Sequence, residues 1–235
     1  MGTGTGTGTG TGIETGIEAG SKTGSVAAKE KAGPGTPPMV LSARYVVLRE
    51  RFAEERVGRF AVELGWSRQW ETTADPDEGI SYAVGWGAGT LSVEYCEDDV
   101  SRHSYLCFAG EDAVAVEGAT ELAEVRLDAW RVEDLLTAVD SETEPVELAR
   151  AVIRAGLGAP RKLDERFFAV IDGALQHPDA RVREAAVWAV SYVPQPQYRR
   201  RLEALRDHDP EYDVWSTAQI LLDAFDAEGV GGQRA

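Results

Sequence analysis

The residues of this chain that could do chemistry are few and sparsely arranged. Cys96 and Cys107 lie on either side of a segment whose midpoint falls between Ser101 and Arg102. In a hairpin of that register they face one another, which would suit a disulfide or, with His103, part of a metal site. A zinc site takes four ligands and the Cys-x-x-Cys spacing that supplies them is absent, so two buried free thiols are the expectation. His177 and His208 stand 31 positions apart beside Pro178-Asp179 and Asp209-Pro210. Such equivalent corners point to helix ends, not to a catalytic pair. With only three histidines, acid–base work would fall to carboxylates. Glu97, Asp98 and Asp99 cluster but lack calcium-loop spacing, and read by default as a solvated acidic turn. No Gly-x-Ser-x-Gly, phosphate-binding Gly-x-x-x-x-Gly-Lys or dinucleotide fingerprint occurs. The expectation is a protein that is not an enzyme, with no catalytic residue, no metal and no cofactor.

The elements that would position these residues divide the chain into three. Residues 1–38 are a Gly- and Thr-rich tail whose three lysines balance three glutamates; it buries too little to offset its chain entropy and reads as disordered. Residues 40–120 read as an α+β N-terminal domain, one helix on a small antiparallel sheet. Phe52, Val57, Phe60, Ala61 and Leu64 recur at helical spacing between Arg49 and Trp66, with Gly65 at the stop. After a polar loop around Asp75 to Gly79, the runs Ile80–Trp86, Thr90–Cys96 and Ser104–Phe108 have strand character, with Gly85, Gly87 and Gly89 punctuating the first turn. Ala113–Val116 reads as a fourth short strand. Residues 121–228 read as helical, beginning with a helix near Asp128 to Val139.

A repeat organises the last third. The helix that starts at Asp179 places Val182, Ala186, Ala189, Val190 and Val193 on one face. Its pattern returns from Asp209, where Val182 to Val214 and Ala186 to Ala218 are each 32 positions apart. Tyr198–Arg206 forms the helix between them, with Leu202 and Leu205 inward. A fainter copy begins at Pro145 and precedes a helix over Leu163–Leu175. Paired helices at a period in the thirties mark a helical solenoid. Asp179, Val182, Arg183, Ala186 and Ala189 resemble the bacterial HEAT-repeat family, whose repeats carry an aspartate, then Val-Arg, then small residues. The resemblance implies a short all-α HEAT-like array over about 144–228 and a scaffold for protein recognition. The alternative is that these helices complete the core of the first domain.

Charge narrows the partner. The chain carries 24 Lys and Arg against 40 Asp and Glu, a formal net charge of −16, which repels phosphate backbones and anionic lipid and favours encounter with a basic protein. Acidity also serves solubility alone. Glu111–Glu147 holds twelve acids against Arg126 and Arg131, whereas Arg150–Arg206 holds eleven bases against six acids. No stretch approaches the roughly 18 apolar residues of a membrane span, and the first residues lack the regions of a secretory signal, so a cytoplasmic protein is expected. The expected function is protein–protein interaction, as an adaptor or inhibitor of a basic partner; by analogy with small acidic toxin-neutralising proteins, its sharpest form is a bacterial immunity protein. The contact residues would be Glu133, Asp134, Glu142 and Glu144, the Glu97 to Asp99 loop, and Arg181, Trp188 and Tyr192, the last three for their resemblance to binding hot spots. The runner-up is a nucleic-acid-binding or repair protein using the Arg-rich face of the HEAT-like array, the Arg150 to Arg206 segment with Arg199-Arg200-Arg201, and a lyase-like or cofactor-chaperoning role ranks third.

Overall fold

The computed structural model describes residues 39–74 and 82–231. The tail, the loop from Asp75 to Gly79 and Ile80 lie outside these. The strands are β1 (Val40–Leu41), β2 (Val46–Val47), β3 (Ser67–Thr72), β4 (Tyr82–Ala88), β5 (Leu91–Asp98) and β6 (His103–Gly110). All pair antiparallel in the order β1-β6-β5-β4-β3, with β2 also on β6. Side chains alternate across a strand, so Val84, Trp86, Val93, Tyr95, Leu106 and Phe108 share one core. Ala83, Cys96 and Tyr105 belong to another.

Each face is covered by helices. The first packs on α1 (Glu54–Glu63) and α2 (Ala113–Arg126), through Val57, Phe60, Ala61, Val116, Ala119 and Ala123. The chain then passes through α3 (Val132–Ser141), α4 (Pro145–Gly158), α5 (Glu165–Ala174), α6 (Ala180–Tyr192), a 3-10 turn at Pro196–Tyr198, α7 (Arg199–His208) and α8 (Tyr212–Glu228). Leu157 of α4 and Tyr192 of α6 pack on the second face beside Trp130 and Val47. These helices also share their own core, which includes Leu135, Val152, Ile171, Val190, Leu202 and Leu222. The result is an α+β protein whose sheet lies between two helical layers. Among the described residues no helix is long and apolar enough to cross a membrane.

Several expectations are corrected. Ala113–Val116 is the first turn of α2, because the Asp112 side chain accepts a bond from the Val114 N–H at 2.9 Å and caps a helix. The helix expected from Asp128 begins at Val132, and Asp128 holds a left-handed backbone at φ 52°. Phe52 precedes α1, with φ 59° and 62% exposure. Strand β3 escaped notice because an edge strand with one exposed side can be polar, as Ser67-Arg68-Gln69 is. Gly85 and Gly87 lie inside β4; a Cβ on Gly85 would meet the Trp70 ring at 2.3 Å, so its smallness admits that indole. Cys96 stands opposite Tyr105 and Cys107 opposite Glu94, so the thiols are diagonal, buried and free.

Candidate functional site

The expected contact residues sit on three parts of the fold: the end of β5 and its turn, α3 with the segment that follows it, and α6. At the end of β5 the Glu97 carboxylate accepts from the Tyr95 hydroxyl at 2.8 Å, and Asp99 sits exposed in the turn, 3.5 Å from Arg51. Asp98 is not a solvated acid. It is 2% exposed, and its Oδ2 accepts from the Ser101 N–H at 2.6 Å and from the Tyr192 hydroxyl at 2.5 Å. Tyr192 therefore turns inward toward the sheet, and burial, reinforced by Asp98, pushes its hydroxyl pKa well up. Trp188 lies between α6 and α8, lining a small cavity with Thr217, Ile220 and Leu221. Arg181 stays on the surface in a 2.6 Å pair with Asp179, which caps the same helix. Trp188 and Tyr192 are thus half-buried against neighbouring elements, and Arg181 is exposed in a local ion pair.

The acidic stretch also separates by neighbour. Glu133 pairs with Arg166 at 2.9 Å, and Asp134 accepts from Arg49 at 2.6 Å while capping α3. Glu142 and Glu144 are exposed at the break between α3 and α4 and make no ion pair among the described residues. The arginine run beyond is largely neutralised: Arg199 bridges Asp226 and Arg201 bridges Asp172, leaving Arg200 exposed.

Burial pushes both cysteine pKa values up, away from the thiolate a nucleophile needs. His177 Nδ1 accepts from the Asp179 N–H at 3.1 Å, a bond within the helix corner. Among the described residues no group of three or more His, Cys, Asp or Glu side chains could hold a metal ion.

One surface was missed by sequence reading. Helix α2 buries Val116, Ala119, Thr120 and Ala123, yet its opposite side shows Val114 at 80% exposure, Leu122 at 37% and Val125 at 68%. Spacings of eight and three residues put these on one stripe. The Arg126–Glu63 pair, at 2.7 Å, joins the end of this stripe to the end of α1, where Val62 is 70% exposed. Glu111, Glu117 and Glu121 stand exposed around it and form no ion pair among the described residues, although Glu117 acts on Arg44 at longer range. The signal was present: a surface helix is expected to be apolar on one side only, and Ala113-Val114-Ala115-Val116 read as a strand hid the second side.

The chain matches no protein-family model, no curated protein and no solved structure.

Proposed function

We propose that this chain is a non-enzymatic protein-binding module, an adaptor or inhibitor acting in the cytoplasm, that holds a basic partner. The outward side of α2 carries this reading, because an apolar stripe set among exposed glutamates fits an amphipathic surface whose rim is Lys- or Arg-rich. An immunity protein that neutralises a basic toxin is the sharpest form of the same proposal.

Reading α4 to α8 as a HEAT-like array belongs to this proposal. It is supported by the 32-residue recurrence and by the corner ion pair in which Arg183 of α6 grips Asp209, ahead of α8, at 2.7 Å. Against the nucleic-acid reading stand the net charge of −16 and the pairing of Arg199 with Asp226 and of Arg201 with Asp172; Arg200 stays exposed.

The test uses tagged full-length chain in a lysate of its host at about 0.15 M salt, beside a Val114→Ser/Leu122→Ser/Val125→Ser variant. A basic protein held in near-equal amount by the wild type, released by high salt and lost by the variant at unchanged thermal stability, is the expected result. A partner retained by the variant moves the interface off α2; recovery of nucleic acid alone overturns the reading.

A further inference from the structure

Between the β5–β6 turn and helices α4 and α6 lies a cleft of about 490 Å³, a volume typical of small-molecule sites. Its walls include Val100, Arg102, His103, Arg150, Ile153 and Arg154. In a chain with 40 acidic against 24 basic residues, an arginine without a carboxylate is the exception. Around this cleft Arg49, Arg51 and Arg150 are each paired, with Asp134, Asp99 and Glu147. Arg102 and Arg154 make no ion pair among the described residues.

Both are held in place at a cost. The Arg154 guanidinium lies 3.9 Å from the centre of the Trp130 ring, whose other close cation is Arg49 at 4.0 Å, and its Nε is buried without a partner. Orphaned buried donors are rare because they lose hydration without compensation. Arg102 holds φ 57°, a left-handed backbone that residues with a Cβ avoid. Left-handed backbone at residues other than glycine and orphaned buried donors both cluster at functional sites. His103 stays a neutral neighbour: its Nδ1–H donates to the Ser101 carbonyl at 2.6 Å, and burial lowers its pKa, with Arg154 adding to the effect. Glu142 and Glu147 lie within electrostatic reach of Arg154, and the net charge of the chain repels anions at long range. Screening over a Debye length of about 8 Å leaves the adjacent guanidiniums to decide.

We propose that this cleft binds a small organic oxyanion, a carboxylate or a phosphate monoester, with its charged head on Arg102 and Arg154 and its apolar body against Val100 and Ile153. Two planar guanidiniums match the geometry of either head group, and the aliphatic walls favour a ligand with a hydrocarbon portion over a bare ion.

Calorimetric titration of the full chain with benzoate, phenyl phosphate and inorganic phosphate tests this, with Trp130 fluorescence as a local readout. Saturable binding of one aromatic probe, tighter than inorganic phosphate, is expected, and the stronger of the two aromatic probes identifies the head group. Arg102→Gly removes the cation and the backbone strain together, so it keeps or raises thermal stability while weakening affinity about tenfold or more. Arg154→Gln weakens affinity similarly and removes the fluorescence response. The proposal fails if no probe binds saturably up to about 10 mM, if both variants bind with unchanged affinity, or if inorganic phosphate binds as well as the aromatic probes.

Discussion

The Tyr192 hydroxyl on α6 donates a 2.5 Å hydrogen bond to Oδ2 of Asp98 at the end of β5, joining positions 94 residues apart. The same oxygen accepts from the Ser101 N–H, so one carboxylate fastens the β5–β6 turn both to itself and to the helical layer. Tyr192→Phe removes one charge-assisted bond to a buried carboxylate and is expected to cost about 2 kcal/mol in urea unfolding. A loss below about 0.5 kcal/mol would show that the bond does not fasten the two layers.

Alkaline pH should unfold the protein through its tyrosines. Burial raises the pKa of Tyr45, Tyr95, Tyr105, Tyr192 and Tyr198, and burial with a bond to Glu54 pushes Tyr82 up to about 12. The folded state therefore holds these protons more tightly than the unfolded chain. Their contribution is complete below the unfolded value of about 10 and is lost as pH rises through the folded values. Tyrosinate absorbance at these sites should grow together with loss of near-ultraviolet circular dichroism; tyrosinate beyond the one exposed ring, Tyr212, in a chain that keeps its dichroism contradicts the burial.

Helix α4 crosses α6 at Gly156, where an added Cβ would lie 2.5 Å from the Ala189 Cα and 2.6 Å from its carbonyl oxygen. Because the obstacle is backbone, Gly156→Ala should cost about 2–3 kcal/mol by forcing the helices apart. Gly118, inside α2, has nothing within 4 Å of its added Cβ. Gly118→Ala should instead stabilise by about 0.5–1 kcal/mol through helix propensity. Thermal or urea unfolding of the two variants reads the opposite signs directly.

Arg183 donates from Nε and Nη2 to both carboxylate oxygens of Asp209 at 2.7 and 2.8 Å, and from Nη1 to the His177 and Pro178 carbonyls at 2.9 Å. Burial alone would raise the Asp209 pKa, but the bonds from Arg183 and the Glu211 N–H hold it below its ordinary value. That stabilisation is present above the unfolded pKa of about 4 and is lost as pH falls through the lower folded value. Arg183→Met strands a nearly enclosed carboxylate and should cost about 3 kcal/mol at neutral pH. Acid unfolding should also become shallower below about pH 4. An acid profile unchanged by the substitution would place the sensitivity elsewhere.

The exposed Glu142 and Glu144 form no ion pair among the described residues and act on Arg154 and Arg181 only at longer range, so reversing both to lysine should change unfolding free energy by less than about 0.5 kcal/mol. If they belong to the interface with a basic partner, the reversal weakens association and flattens its dependence on salt. A salt slope identical to wild type removes them from that interface and leaves the α2 stripe as the contact.

What the residues determined by themselves was local. Asp164 and Asp179 cap α5 and α6, accepting from Arg166 and Arg181 N–H groups, and the helical period of Val182, Ala186, Ala189 and Val190 marks the buried side of α6. Aromatic and β-branched runs likewise announced β4, β5 and β6. These signals act within a turn or a strand, where a few neighbours decide the outcome. Tertiary structure alone decided which side of α2 was covered, since Val114 and Val116 differ only in what packs on them. It also decided that Asp98 and Tyr192, read apart as an acidic turn and a surface aromatic, bond to one another where the sheet meets the helices. Pairing over such a separation is set by how sheet and helices dock, and the spacing of residues along the chain carries no record of it.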